Sequence, residues 1–395
     1  MKNILLLAIL FISCAFISAC LNLSDNSLAT YNKQLVELKK ITFPVDENMY
    51  YFSRALFQYE EDGKEFLHFE NTEKNQYEII IYDIKSQEIS RRIQLHKQGP
   101  NGVPAVMGSK PLGNSHTSAL FQNSLSRITF LNDKGEVIRK YPIKSFKAHF
   151  LPFLPSSDFY TPTFMKDSVL YVASLVYKPN LKKEDWRTMS LFFQLNLNSG
   201  EVDLVPLYYP SVFYKNVKNI AMGAEFSYDY NHRENRLVCS FIGYDSLMVS
   251  DDLHSIKWYD GKSRYLGIKR PNLIEASEGL QAIFKAKEEG YYNHIMYDKF
   301  RDIYYRFVEH PCKLSTEDAY SHTPKDREFS VIIFDKDLRI IGETKFPGNK
   351  YDNRMSFVGR DGLYISENNL ANPEFDENKL VFACFKLEDI KGNDK

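Results

Sequence analysis

Tyr297, Asp298, Arg301, Tyr304, Tyr305 and Arg306 stand within ten consecutive positions, the densest gathering in the chain of side chains able to do polar chemistry. A carboxylate, two guanidinium groups and three phenols in so short a stretch could grip an anion through bidentate arginine bonds or line a sugar-binding surface. On a strand, Tyr304 and Arg306 share one face and Tyr305 takes the other. An arginine on a packed sheet face needs an acceptor, and Asp298 and Asp302 are the nearest candidates. The same residues would also serve as a fixed ion pair locking adjacent strands, and that structural role is the favoured of the two. A second candidate is the run from His149 through Phe150, Phe153 and Phe159 to Tyr160 and Pro162. So long an aromatic connection suits the mouth of a binding surface, with His149 and Tyr160 as contact residues. It could equally pack its own aromatics over the strand ends.

Beyond these two places the familiar signatures of catalysis are missing. The chain has no His-Glu-x-x-His, Cys-x-x-Cys, Gly-x-Ser-x-Gly or Gly-x-Gly-x-x-Gly. Gly261-Lys262-Ser263 lacks the glycine five positions earlier that a phosphate loop requires, since Ile256 stands there. Asp251-Asp252 and Glu288-Glu289 read as solvated turns rather than acid–base pairs. His116 and His149 have no spaced partners, so neither a metal nor a cofactor is expected and no catalytic residue is assigned.

Location is more legible than chemistry. Lys2 precedes an apolar run from Ile4 to Ile17, and Ser18-Ala19-Cys20 closes it. That is the pattern of a secretory signal over residues 1–19, too short for a membrane span. Cys20 behind Ile-Ser-Ala resembles the lipobox of bacterial lipoproteins, which implies acylation at Cys20 and a membrane partner through the lipid. Residues 20–33 are short and polar and would form the tether. Leu21 follows the cysteine in place of an aspartate, which favours the outer membrane, facing either the periplasm or the exterior. Without its leader the chain carries 49 basic and 51 acidic residues, a balance that offers no case for nucleic acid. Cys239 and Cys384 sit in apolar strand-like runs and read as buried thiols, while Cys312 falls in a loop.

The remainder, residues 34–390, repeats a strand, a turn rich in Asp, Asn, Gly and Lys, and a second strand. Hairpins are expected at 79–93, 128–138, 192–204, 256–266 and 331–341, with one helical insertion at 274–289. Pro44, Pro100, Pro142, Pro210, Pro271 and Pro347 punctuate the series. Strands grouped at this interval suggest propeller blades. The last unit has no outer strand of its own, and residues 36–44 read like one. The expectation is therefore an all-β chain forming a six-bladed β-propeller whose N-terminal strand closes the last blade.

These features together resemble the six-bladed, TolB-like propeller lipoproteins of Gram-negative gut anaerobes. Gln98-Gly99-Pro100-Asn101-Gly102-Val103 is similar to the loop between their first two blades, and Tyr297-Asp298 with Arg301-Asp302-Ile303-Tyr304-Tyr305-Arg306 to one of their strand pairs. The resemblance implies a fold and a place in the envelope, and transfers no catalytic residue. Two functions stay open: a non-enzymatic module binding a peptide, glycan or envelope protein through His149, Tyr160, Tyr297, Asp298, Arg301, Tyr304 and Arg306, or a hydrolase or lyase acting on a carbohydrate or lactone.

Overall fold

Strand residues dominate the structure as they do the sequence. The computed structural model describes residues 29–390 apart from 73–76, 100, 105, 114–116, 123–126, 144–155, 175–182, 214–224, 268–287 and 314–325. The leader, Cys20, His149 and nearly all of the expected 274–289 helix lie outside these residues. Strand β1 (Lys33–Pro44) comes first, and four antiparallel sheets follow. These are β2–β5 (Leu56–Glu61, Lys64–Asn71, Tyr77–Asp83, Glu88–Leu95) and β6–β9 (Ser109–Pro111, Ser118–Gln122, Arg127–Leu131, Val137–Pro142). Next come β10–β13 (Phe164–Lys166, Val169–Ala173, Phe192–Asn196, Val202–Leu204), with helix α1 (Lys183–Thr188) inserted. The fourth is β14–β17 (Phe226–Asn231, Arg236–Phe241, Ser246–Ser250, Lys257–Asp260). The rest are β18–β21 (Tyr291–Asp298, Ile303–Glu309, Phe329–Phe334, Ile340–Phe346) and β22–β24 (Asp352–Gly359, Gly362–Ser366, Lys379–Asp389).

Six separate blades were expected, and this is corrected by the strand order. The last seven strands and β1 form one eight-stranded sheet, β18-β19-β20-β21-β1-β24-β23-β22, beside the four four-stranded sheets. Within it β1 runs antiparallel to β24 from Lys33 opposite Asp389 to Pro44 opposite Lys379, with a bulge at Glu37/Lys39. Its start also pairs in parallel with β21, Lys33 opposite Gly342. Gly342 permits this approach, because a Cβ there would collide with the Lys33 carbonyl. Leu35 N donates to Thr344 Oγ1 at 2.8 Å and fixes the junction. The sheet's two edges meet as well, His294 Nε2 of β18 lying 3.1 Å from Ser356 Oγ of β22, so the sheet nearly closes on itself. The fold is all-β and propeller-like.

Apolar clusters join each layer to the next. Leu67, Tyr82, Phe43 and Phe382 tie the first sheet to the β1/β24 region. Phe192, Tyr228 and Cys239 join the third to the fourth, and Val238, Tyr304 and Ile332 carry the chain of contacts onward. Strands buried on both faces, such as Ile303–Glu309, therefore lose hydrophobic alternation. Outer strands such as Glu88–Leu95 keep it, because only one face is covered. The expected hairpin at 256–266 is replaced by Lys257–Asp260 pairing back onto Ser246–Ser250, and 264–266 are not strand. Cys239, Cys312 and Cys384 are all free thiols.

Each meander places its connections at two different ends. Short turns such as 62–63, 167–168 and 360–361 gather at one. Asp62/Gly63 and Asp167/Ser168 take positive φ there, the backbone that two-residue hairpin turns require. Strands β9, β13 and β17 finish at the other end, from which the long connections to the next sheets depart, and connections are where function is commonly carried.

Candidate functional site

The described part of the aromatic run, residues 156–163, lies across the axis at the long-connection end. Asp158 organises it. Its Oδ1 accepts from Tyr160 N and Thr161 N, each at 3.0 Å, and from Thr161 Oγ1 at 3.1 Å. Its Oδ2 accepts from Arg54 at 2.7 Å. Phe159 N donates to the Arg54 carbonyl and Ser156 Oγ to the Met107 carbonyl, while Tyr228 N donates to the Tyr160 carbonyl. The His294 ring meets Phe159 edge-on at 5.4 Å and Tyr160 at 5.9 Å. A single short segment can touch the approaches to β2 and β6 together with β14 and β18 only by crossing the centre. Gly108, at φ +130°, makes room, since a Cβ there would strike the Ser157 carbonyl.

Around Tyr160 sits a polar ring. Glu309, 1% exposed, accepts from Asn293 Nδ2 and Asn353 Nδ2, both at 2.8 Å on the same oxygen. The Oδ1 atoms of Asn293 and Asn353 are buried with no donor. Burial raises the Glu309 pKa, opposed by Arg327 and the two amides. Burial likewise raises the Tyr160 hydroxyl, and Glu309 adds to the effect. Burial works against the Arg354 charge, yet its paired bonds to Asp352 at 2.9 and 2.7 Å more than offset this and hold its pKa high. Half-buried Tyr291 completes the ring beside Arg327, whose guanidinium donates to Cys312 Sγ at 2.9 and 2.8 Å. Such an arrangement can accept hydrogen bonds from a ligand and offer it aromatic surface. Among the described residues no three His, Cys, Asp or Glu side chains form a metal-binding set.

Residues 32–345 match the family of a domain of unknown function, DUF4221. The chain belongs to the DUF4221 family. A crystal structure of a DUF4221 member from Bacteroides vulgatus ATCC 8482 is 52% identical and superposes with a TM-score of 0.87, over 91% of this chain and 100% of that one. A protein from Bacteroides fragilis NCTC 9343 described as exported shares the fold at 11% identity and a TM-score of 0.55, over 90% of this chain and 96% of its own. No curated protein matches. The family is thus DUF4221 rather than a named TolB-like lipoprotein family.

Of the described residues singled out from the sequence, this chain brings only Tyr160 to the ring. Arg306 lies on β19, fully buried, and its partners are not the expected Asp298 or Asp302. Its Nε donates to Ser240 Oγ at 2.8 Å, and its other nitrogens to the carbonyls of Asp245, Gly261 and Tyr244 at 2.9, 2.9 and 2.6 Å. Its guanidinium stacks 3.6 Å over Tyr292. Asp298 caps its own turn through Phe300 N and Arg301 N, and accepts from Arg301 at 2.8 Å and Tyr305 at 3.1 Å. Arg301 also bonds the Gly359 carbonyl. Tyr297 donates to Asp302 at 2.8 Å, and Tyr304, fully buried, accepts from Asn231 at 3.1 Å. Tyr304 and Tyr305 do fall in different apolar clusters, as strand alternation requires. Each of these six side chains is occupied by the protein itself. Glu309, Asn293 and Asn353 were missed. Glu309 had one signal, a carboxylate closing a strand run whose only other charge is Arg306.

Proposed function

We propose that this chain is an exported, lipid-anchored binding protein of the cell envelope that takes a polar ligand at the long-connection end. The leader-like residues 1–19 and the lipobox-like Cys20 support export and anchoring. Among the described residues no helix is long and apolar enough to cross a membrane. One observation carries the binding reading: Asn293 and Asn353 spend their amide donors on Glu309 and leave both carbonyl oxygens buried without donors. An unmet buried acceptor costs about 1–3 kcal/mol, and a ligand hydroxyl or amide would relieve it. Half-buried Tyr160 and Tyr291 supply the flat surface that sugar rings and peptide aromatics favour. Catalysis by paired carboxylates is less well served, since Asp352 is fully engaged by Arg354.

The test is a glycan and peptide array probed with the chain, followed by titration of any hit. Tyr160→Ala and Glu309→Gln should each weaken the hit by about tenfold or more. Hits that bind both folded variants as they bind wild type would remove the assignment.

A further inference from the structure

The polar ring around Tyr160 is continued outward by a second group of aromatics. Arg54, which donates to Asp158 at 2.7 Å and whose carbonyl accepts from Phe159 N, ends the run Tyr50-Tyr51-Phe52-Ser53-Arg54. That run leads away from segment 156–163 along the start of β22. Ser53 N donates to Met355 Sδ at 3.2 Å, and the Arg354 guanidinium lies 4.7 Å from the centre of the Phe52 ring. Asn353, one residue back, donates to Glu309 in the polar ring. Farther out, Tyr51 meets Phe375 edge-on at 4.9 Å and packs against Tyr50 at 4.5 Å. Phe375 belongs to the 367–378 connection between β23 and β24, which opens beside the end of β1 because Pro44 stands opposite Lys379. Phe52, Tyr51 and Phe375 are half-buried and Tyr50 is 41% exposed. The result is an aromatic shelf continuous with the polar ring, and exposed aromatics gathered in one patch mark a binding surface. Three residues separate Tyr51 from Arg54, so the shelf begins within about 11 Å of the anchor of segment 156–163.

Charge does not select what lies there. Arg54 is paired with Asp158 and Arg354 with Asp352. Glu374 and Asp376, on either side of Phe375, face Lys40 at 3.8 Å and Lys379 at 2.8 Å. An ionic ligand would have to compete with these pairs, whereas a neutral one leaves them intact. The unmet atoms of the polar ring, Asn293 Oδ1 and Asn353 Oδ1, are acceptors alone. A peptide brings a carbonyl acceptor for nearly every N–H donor, while a polyhydroxylated ligand brings a donor on every hydroxyl. Sugar units also present flat apolar faces that suit tyrosine and phenylalanine rings.

We propose that the polar ring and the shelf together bind a neutral oligosaccharide as a chain, one sugar unit held at Tyr160 and Tyr291 and the following units laid along Phe52, Tyr51 and Tyr50. This rests on the ligand reading of the Tyr160 ring and adds to it the chemistry and the length of what is bound.

Neutral oligosaccharides of the cellulose, starch and mannan series, from disaccharide to hexasaccharide, are titrated into the full chain by calorimetry. At least one series should bind, its hexasaccharide about tenfold or more tighter than its disaccharide. Tyr51→Ala should remove that gain and leave the disaccharide as in wild type, while Tyr51→Phe, which keeps the aromatic face, should retain it. Tyr160→Ala should weaken both lengths alike. Should Tyr51→Ala fail to fold, Tyr50→Ala, at the more exposed position, carries the comparison and should reduce the same gain. Array hits confined to peptides or charged glycans, and weakened by Tyr160→Ala, would overturn the oligosaccharide while leaving the polar ring a binding site. Equal affinity at both lengths, or an unchanged gain in both shelf variants, would overturn the shelf. Binding by none of the neutral series would overturn the proposal as a whole.

Discussion

Replacing Arg306 with alanine removes a strut between two sheets rather than a ligand contact. Three backbone carbonyls and the Ser240 hydroxyl lose their donor, and the ring of Tyr292 loses the guanidinium packed 3.6 Å above it. At about 1 kcal/mol for each of the four stranded partners, and about 2 for the vacated volume, the loss is about 6 kcal/mol. Release of the buried charge returns part of that, since no carboxylate pairs with it. Arg306→Met loses the same bonds and charge but refills the space, so it isolates the volume contribution and should cost about 2 kcal/mol less than alanine. The assay is urea unfolding followed by tryptophan fluorescence. Trp258 packs edge-on against Tyr244 at 5.2 Å, and the Tyr244 carbonyl is one of the acceptors at stake. An alanine variant within about 1 kcal/mol of wild type would refute the strut, and equal losses for alanine and methionine would refute its division into packing and bonding.

Four other outcomes are expected. His68 and His294 are held neutral by burial, with folded pKa values near 3 against an unfolded 6.5, so their stabilisation is present at pH 7 and is lost as pH falls toward 3. Lowering the pH from 7 to 5 should cost about 2 kcal/mol for each, read from urea midpoints. Burial raises Glu70 to about 7, so its contribution has the opposite sign and fades as pH rises from 4.5 to 7; Glu70→Gln should steepen the acid loss, and an unchanged slope would contradict this. Gly342→Val should part β1 from β21 and raise hydrogen exchange at Leu35 and Thr344 while leaving the β1–β24 ladder protected; uniform exchange would count against the junction. Cys20→Ala should abolish metabolic lipid labelling, and equal labelling of the variant would remove the anchor.

Strands and most hairpins were legible because β-branched and aromatic runs flank turn formers, as at Ile79–Asp83 and Val331–Phe334. The grouping of strands was not. Whether β1 stops at β24 or also reaches β21 depends on one missing Cβ at Gly342, a lateral contact with no periodic signature. Turn chemistry misled at 256–266, where Lys257–Asp260 pairs backward to Ser246–Ser250. The tyrosine–arginine stretch drew notice for its composition, yet composition says nothing of acceptors, and these came from carbonyls in another sheet. Tyr160 was visible as part of an aromatic connection. Glu309, Asn293 and Asn353 were not, because they are brought together from β19, β18 and β22, far apart in the chain.

The most direct measurement of the binding reading is hydrogen–deuterium exchange on the full chain with and without the best array hit. Protection is expected at the amides of 156–163, 291–294 and 352–354, with the tight turns at 62–63 and 299–302 unchanged. Protection confined to those turns, or none near Tyr160 and Asn353, would contradict it.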